Sequence, residues 1–208
     1  VSGLLEVNRH ANESVLAMGD GLGLDWVRFA EGGANISVVD PSTERLKLYR
    51  QQFSARGVKA QCLHSPFDRL PASDSEVDVV CAVFNERPAT WASLVQETQR
   101  VLRPGGKVIA VLPAHYNADR LLDIHRPWRV WRRPASVAPA RFTAHELRKA
   151  FAGFYNVKVR KRHLRRSELP YIWRWVLLPI AERMMGRFLV VKAFKHLTPA
   201  MAAARAAA

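Results

Sequence analysis

A strand, a glycine loop, a helix and a second strand ending in an acid constrain this chain more than any other feature. Ser14-Val15-Leu16-Ala17-Met18 is a short apolar run that breaks into Gly19-Asp20-Gly21-Leu22-Gly23. Residues 25–30 follow with a helical pattern, and residues 35–40 form a second apolar run closed by Asp40. Glycines at such a turn let the backbone bend tightly and approach a ligand, and the helix behind them aims its free amides at the same place. The spacing is GxGxG, which differs from the GxGxxG of dinucleotide binders, and no Gly-Lys-Ser/Thr of a phosphate loop is present. Asp40 stands 17 residues after Gly23, where an acid at the end of the second strand can accept hydrogen bonds from both hydroxyls of a ribose. The bland alternatives are a plain glycine turn and an acid that caps the next helix.

The following residues repeat the alternation. Pro41-Ser42-Thr43-Glu44 opens a helix with Pro41 in its first turn and Leu46, Leu48 and Phe53 as core positions. Residues 58–63 read as a third strand. Residues 77–84 read as a fourth, nearly continuous in apolar character, as a parallel strand buried on both faces must be. A helix over 90–102 stops at Arg103-Pro104-Gly105-Gly106, and residues 107–112 form a fifth strand. Thr143 and Glu146 have the spacing of a capping box for a helix over 143–151. Strands over 156–159 and 188–194 complete the set. Strands alternating with helices predict βαβ units and a doubly wound, mostly parallel sheet with helices on both faces.

Charge divides the chain in two. The net is +14, yet residues 1–113 hold 12 Lys and Arg against 13 Asp and Glu, while residues 114–208 hold 20 against 5. Fifteen of those 20 cations are Arg, which pairs bidentately with phosphate and carboxylate. An anionic partner is the implication: nucleic acid, an anionic membrane surface or an acidic substrate. No apolar run approaches the roughly 20 residues of a membrane span. Cys62 and Cys81 lack metal-ligand spacing, so no metal site is expected and both read as buried, reduced thiols of a cytosolic protein. No signal-peptide pattern precedes the first motif.

Four blocks together resemble the class I S-adenosylmethionine-dependent methyltransferases, nearest the small-molecule branch that includes quinone C-methyltransferases. They are the loop ending Met18-Gly19-Asp20-Gly21-Leu22-Gly23, the segment Val38-Val39-Asp40-Pro41-Ser42, the stretch Leu70-Pro71-Ala72-Ser73-Asp74 that runs on to Val80, and Arg100-Val101-Leu102-Arg103-Pro104-Gly105-Gly106. The resemblance covers about residues 14–195 and implies a seven-stranded Rossmann-like sheet whose last strand is inserted antiparallel. It implies S-adenosylmethionine as cofactor, held by Gly19, Asp20, Gly21, Gly23, Asp40 and Pro41, with Phe67, Asp68 and Phe84 around the adenine. Two departures stand out. Ala17 occupies the place of an acid that helps hold the methionine amino group, a role for which Asp20 is the substitute. The segment before the first strand is also short against the family's N-terminal helix.

Methyl transfer is an in-line displacement in which the protein supplies positioning, desolvation and, for some acceptors, a base. His115, Tyr116 and Glu86, after the fifth and fourth strands, are the candidate catalytic bases. The Trp- and Arg-rich residues 126–134 and 168–187 read three ways: a packed core helix around 179–185, an interfacial membrane segment, or a base-stacking and phosphate-pairing surface. The expected organisation is one domain over residues 1–199, with a cofactor half at 14–113, a basic acceptor or partner half at 114–199, and an Ala-rich tail. The expected activity is methyl transfer to a small hydrophobic or lipid-like acceptor at a membrane surface, by a cytoplasmic, peripheral enzyme. The alternatives are an RNA methyltransferase, and a non-catalytic subunit of this fold that needs a partner; an oligomer is compatible with each reading.

Overall fold

The computed structural model describes residues 4–20, 24–115, 141–162 and 186–198. Within them lies one seven-stranded sheet in the order β3-β2-β1-β4-β5-β7-β6. Its strands are β1 (Ser14–Gly19), β2 (Asn35–Asp40), β3 (Gln61–His64), β4 (Val77–Val83), β5 (Leu102–Pro113), β6 (Tyr155–Arg162) and β7 (Phe188–Phe194). The first five pair in parallel, and β7 enters antiparallel between β5 and β6.

Alternation along the strands builds two cores. Val15 and Ala17 face one side of the sheet, Leu16 and Met18 the other. Helices α1 (Leu24–Glu31) and α2 (Thr43–Ala55) cover the first face with Trp26, Phe29, Leu46, Tyr49 and Phe53. Helices α3 (Trp91–Val101) and α4 (Ala144–Ala150) cover the second with Trp91, Leu94, Val95 and Leu147. A fully buried side chain of this size contributes about 2–3 kcal/mol. Both faces of the central strands are thus sealed, as their unbroken apolar runs require.

Several local expectations change. Leu48 is 56% exposed, and Tyr49 takes the core position instead: with Leu46 and Phe53 buried, residues 46, 49 and 53 share the inward stripe at helical spacing. Pro41 lies outside the helix, because Ser42 is the cap, its hydroxyl accepting from the Arg45 amide. The third strand starts at Gln61 because Val58 N–H turns back to Phe53 O and closes α2. Strand β5 starts at Leu102, well before the glycines. Gly105 N–H donates to Lys195 O, and Lys195 N–H to Gly106 O, so the tail of β7 draws the turn into the sheet. Strand β6 runs to Arg162 because β7 pairs with its whole length. Cys81 is buried, whereas Cys62 is half-buried. The capping box forms as the sequence predicts, with Thr143 and Glu146 bonding reciprocally. The helix expected around 179–185 lies outside the described residues, and so do the Trp- and Arg-rich residues 126–134. No helix among the described residues is long and apolar enough to cross a membrane.

Candidate cofactor and acceptor site

Parallel strands deliver their C-terminal ends to one edge of the sheet, and ligands of open α/β sheets bind there. At this edge β1 ends in Gly19, β2 in Asp40 and β4 in Val83. Gly19 has φ +91°, and an added Cβ would lie 2.1 Å from Val83 O and 2.8 Å from the Phe84 ring. This glycine therefore lets the ends of β1 and β4 close on each other. Asp20 N–H donates to Val83 O at 2.6 Å, and the Tyr49 hydroxyl donates to Gly19 O at 3.1 Å.

Three charged side chains occupy the gap between the strand ends. Asp40 is fully buried. Its Oδ1 accepts Ser42 N–H at 2.7 Å and Arg45 Nε at 3.1 Å. Its Oδ2 is buried and accepts from no described group. Burial raises the Asp40 carboxyl above its ordinary range, against the opposing pull of Ser42 N–H and Arg45. Arg45 Nη1 reaches Asp20 Oδ1 at 2.6 Å, and Asp20 Oδ2 accepts Asn85 N–H at 3.0 Å. A buried carboxylate oxygen without a donor is costly. A ribose hydroxyl is the donor that fits it, so the residues present suit a nucleoside cofactor.

The other predicted cofactor contacts divide. Phe84 is buried beneath Gly19, and Phe67 meets it edge-on at 5.2 Å. Pro41 is exposed, its carbonyl 3.0 Å from His64 Nε2. Asp68 is exposed, and no contact joins it to Asp20, Arg45 or Asp40 among the described residues. Gly21 and Gly23 lie outside the described residues.

A second cluster lies at the ends of β4 and β5. Phe142 N–H donates to Pro113 O, and His115 N–H to Phe142 O at 2.8 Å. The Arg87 guanidinium stands 5.0 Å over the Phe142 ring and 3.7 Å from Glu146. Trp91 backs Phe142 at 4.6 Å. Glu146 is held below the usual carboxylate range by the Thr143 amide and hydroxyl, with Arg87 and His115 adding to the pull. His115 is half-buried here, Glu86 is exposed, and Tyr116 lies outside the described residues. Sequence reasoning missed Arg45 and Tyr49 as site residues. Their spacing of four on one helix behind a strand-ending acid was the available signal. A separate cleft of about 710 Å³, lined by Arg69, Ser73, Glu97 and Arg100 among others, lies at the opposite end of β4. Arg100 is fully engaged there, on Leu70 O, Ala72 O, Asp74 and Glu97. Among the described residues no acid, Cys and His cluster could hold a metal ion.

The sheet order and its helical layers define a Rossmann-like α/β fold. Residues 15–106 match the methyltransferase domain family. The chain is 32% identical over 100 residues to mitochondrial 2-methoxy-6-polyprenyl-1,4-benzoquinol methylase of Bos taurus, covering 45% of this chain and 30% of that protein. It is 28% identical over 101 residues to sterol 4-C-methyltransferase strm-1 of Caenorhabditis elegans, covering 47% and 30%. The fold matches that of a SAM-dependent methyltransferase from Methanosarcina mazei with a TM-score of 0.63, 17% identity, and coverage of 94% and 98%. The methyltransferase-domain match thus covers residues 15–106, and the fold over the whole sheet is similar to that of S-adenosylmethionine-dependent methyltransferases. The matched segments span about a third of the curated relatives' length.

Proposed function

We propose that the protein is an S-adenosylmethionine-dependent methyltransferase acting on a small hydrophobic or lipid-like acceptor. The observation that carries the cofactor assignment is the buried, unpartnered Oδ2 of Asp40 beside the Gly19 turn. When bound, the cofactor supplies an electrophilic methyl group on a sulfonium. Asp40 would orient the ribose, Gly19 would line the approach, and Phe67 and Phe84 would flank the adenine. Arg87, Phe142 and Trp91 form a partly apolar wall at the ends of β4 and β5 for the acceptor, with His115, whose amide bonds Phe142 O, as the candidate base. The names of the quinol and sterol relatives support a hydrophobic acceptor. The basic residues 114–199 and the exposed Lys158 and Arg160 of β6 support an encounter with that acceptor at an anionic membrane surface, as a cytoplasmic, peripheral protein.

Calorimetric titration with S-adenosylmethionine and S-adenosylhomocysteine tests the cofactor assignment. Wild type is expected to bind at micromolar levels. Asp40→Ala is expected to lose about 1.5–3 kcal/mol, the worth of hydrogen bonds to a charged group, or roughly tenfold to a hundredfold in affinity. No binding by wild type up to millimolar ligand would overturn the proposal. Flotation with anionic vesicles and RNA retention, each across a salt series, test the partner: retention on RNA alone with a steep salt dependence would replace the lipid reading by the RNA one.

A further inference from the structure

Arg45 is the third residue of α2 and the only cation described between the ends of β1 and β2. Its guanidinium forks between two acids on two strands, Asp20 at 2.6 Å and Asp40 at 3.1 Å. The Asp20 carboxylate in turn holds the first amide after Phe84. One cation thus ties three strand ends together. It leaves the two oxygens of Asp40 unequal. Oδ1 already accepts Ser42 N–H and Arg45 Nε, while buried Oδ2 accepts nothing.

A carboxylate that grips a ribose diol needs one oxygen for each hydroxyl. On Asp40 only Oδ2 is ready. Of the two donors on Oδ1, the Ser42 amide is fixed by the cap of α2, whereas the Arg45 side chain is 38% exposed and can turn into water. The ligand and Arg45 therefore compete for one oxygen. The arrangement has a physical reason: Asp20 and Asp40 repel each other, and Arg45 offsets both charges.

We propose that Arg45 is a resident competitor for the diol-binding oxygen of Asp40, and that it sets cofactor affinity by having to release Oδ1 before the second hydroxyl can bond. The proposal rests on the cofactor assignment above. Arg45 is here a positioning residue. It offsets the two carboxylates and ties ligand affinity to ionic strength.

The test is titration with S-adenosylhomocysteine of wild type, Arg45→Met and Arg45→Lys at one mildly alkaline pH, with melting curves to confirm the fold. Arg45→Met keeps the helix and removes the competitor. It is expected to bind about 1.5-fold to fivefold more tightly than wild type, the range of a partly exposed ion pair. Arg45→Lys, with one ammonium in place of a fork, is expected between the two. Raising salt from about 50 to about 500 mM weakens the Arg45 ion pairs, so wild-type affinity is expected to rise while that of Arg45→Met does not. A purely structural Arg45 would not give that opposite salt response. Equal or weaker binding by a folded Arg45→Met, with the same salt response as wild type, refutes the competition and leaves the cofactor assignment standing. Failure of all three proteins to bind refutes the cofactor assignment and the competition with it. If Arg45→Met does not fold, Arg45→Lys decides: affinity equal to or below wild type refutes the competition.

Discussion

Gly19→Ala separates a glycine required by packing from one required by a ligand. The residue ends β1 at φ +91°, a backbone region in which an L side chain is strained by about 1–2 kcal/mol. The new methyl would lie 2.1 Å from Val83 O and 2.8 and 2.9 Å from two carbons of the Phe84 ring. No rotamer change relieves the carbonyl contact. Val83 O is main chain and accepts the Asp20 amide at 2.6 Å, and Phe84 is buried against Phe67. Pushing β1 from β4 is overpacking of a close-fitted core, which costs about 1–3 kcal/mol. The sum is about 2–5 kcal/mol, or a fall in melting temperature of roughly 5–15 °C for a chain of this size. The same displacement would separate Asp20 from Asn85 N–H and lower cofactor affinity at least tenfold. Urea denaturation followed by circular dichroism, with calorimetric titration of the folded fraction, reads both. A variant with an unchanged midpoint and slope would refute the argument, because it would show that the strand ends can part without cost.

Two other outcomes follow from the geometry. Trp91→Ala removes the ring that packs on Phe142 and Phe151; it is expected to destabilise by about 3–5 kcal/mol and to loosen the wall that carries Arg87, read as a lower denaturation midpoint. Glu6 bonds Lys107 and Lys192, and these outweigh its burial to hold its carboxyl at about 2 instead of about 4.5. A depressed folded pKa stabilises above the unfolded value, so this contribution is complete above about pH 4.5 and is lost as the pH falls towards 2. A Glu6→Gln variant is expected to show a shallower loss of stability over that window, measured by denaturation at a series of pH values.

Much of the fold was legible because its signals are local. The apolar run at 77–83, the capping box of Thr143 and Glu146, and the glycine turn after Met18 each depend on residues within one turn or strand. The inserted β7 was not legible from periodicity, which gives a strand but not its neighbours; the family resemblance supplied its place. Leu48 and Tyr49 show the limit on a finer scale. Both are large and adjacent, and only the angle at which α2 lies on the sheet decides that Tyr49 points inward to Gly19 O. Strand β5 gained Leu102 to Gly106 through hydrogen bonds to Lys195, about 90 residues away in the chain.

The candidate site divides in the same way. The sequence by itself determined Gly19, Asp20 and Asp40, because a turn and a strand-ending acid are written in neighbouring residues. Tertiary structure decided what those residues do to one another. Asp20 and Arg45 are 25 positions apart, and Asp20 and Asn85 are 65. Parallel pairing of β1 with β2 and β4 brings their ends to one edge, and there Arg45 meets both acids and one oxygen of Asp40 is left without a donor. Local sequence encodes conformation over a few residues, whereas the balance of charges at a strand edge exists only once the sheet has assembled it.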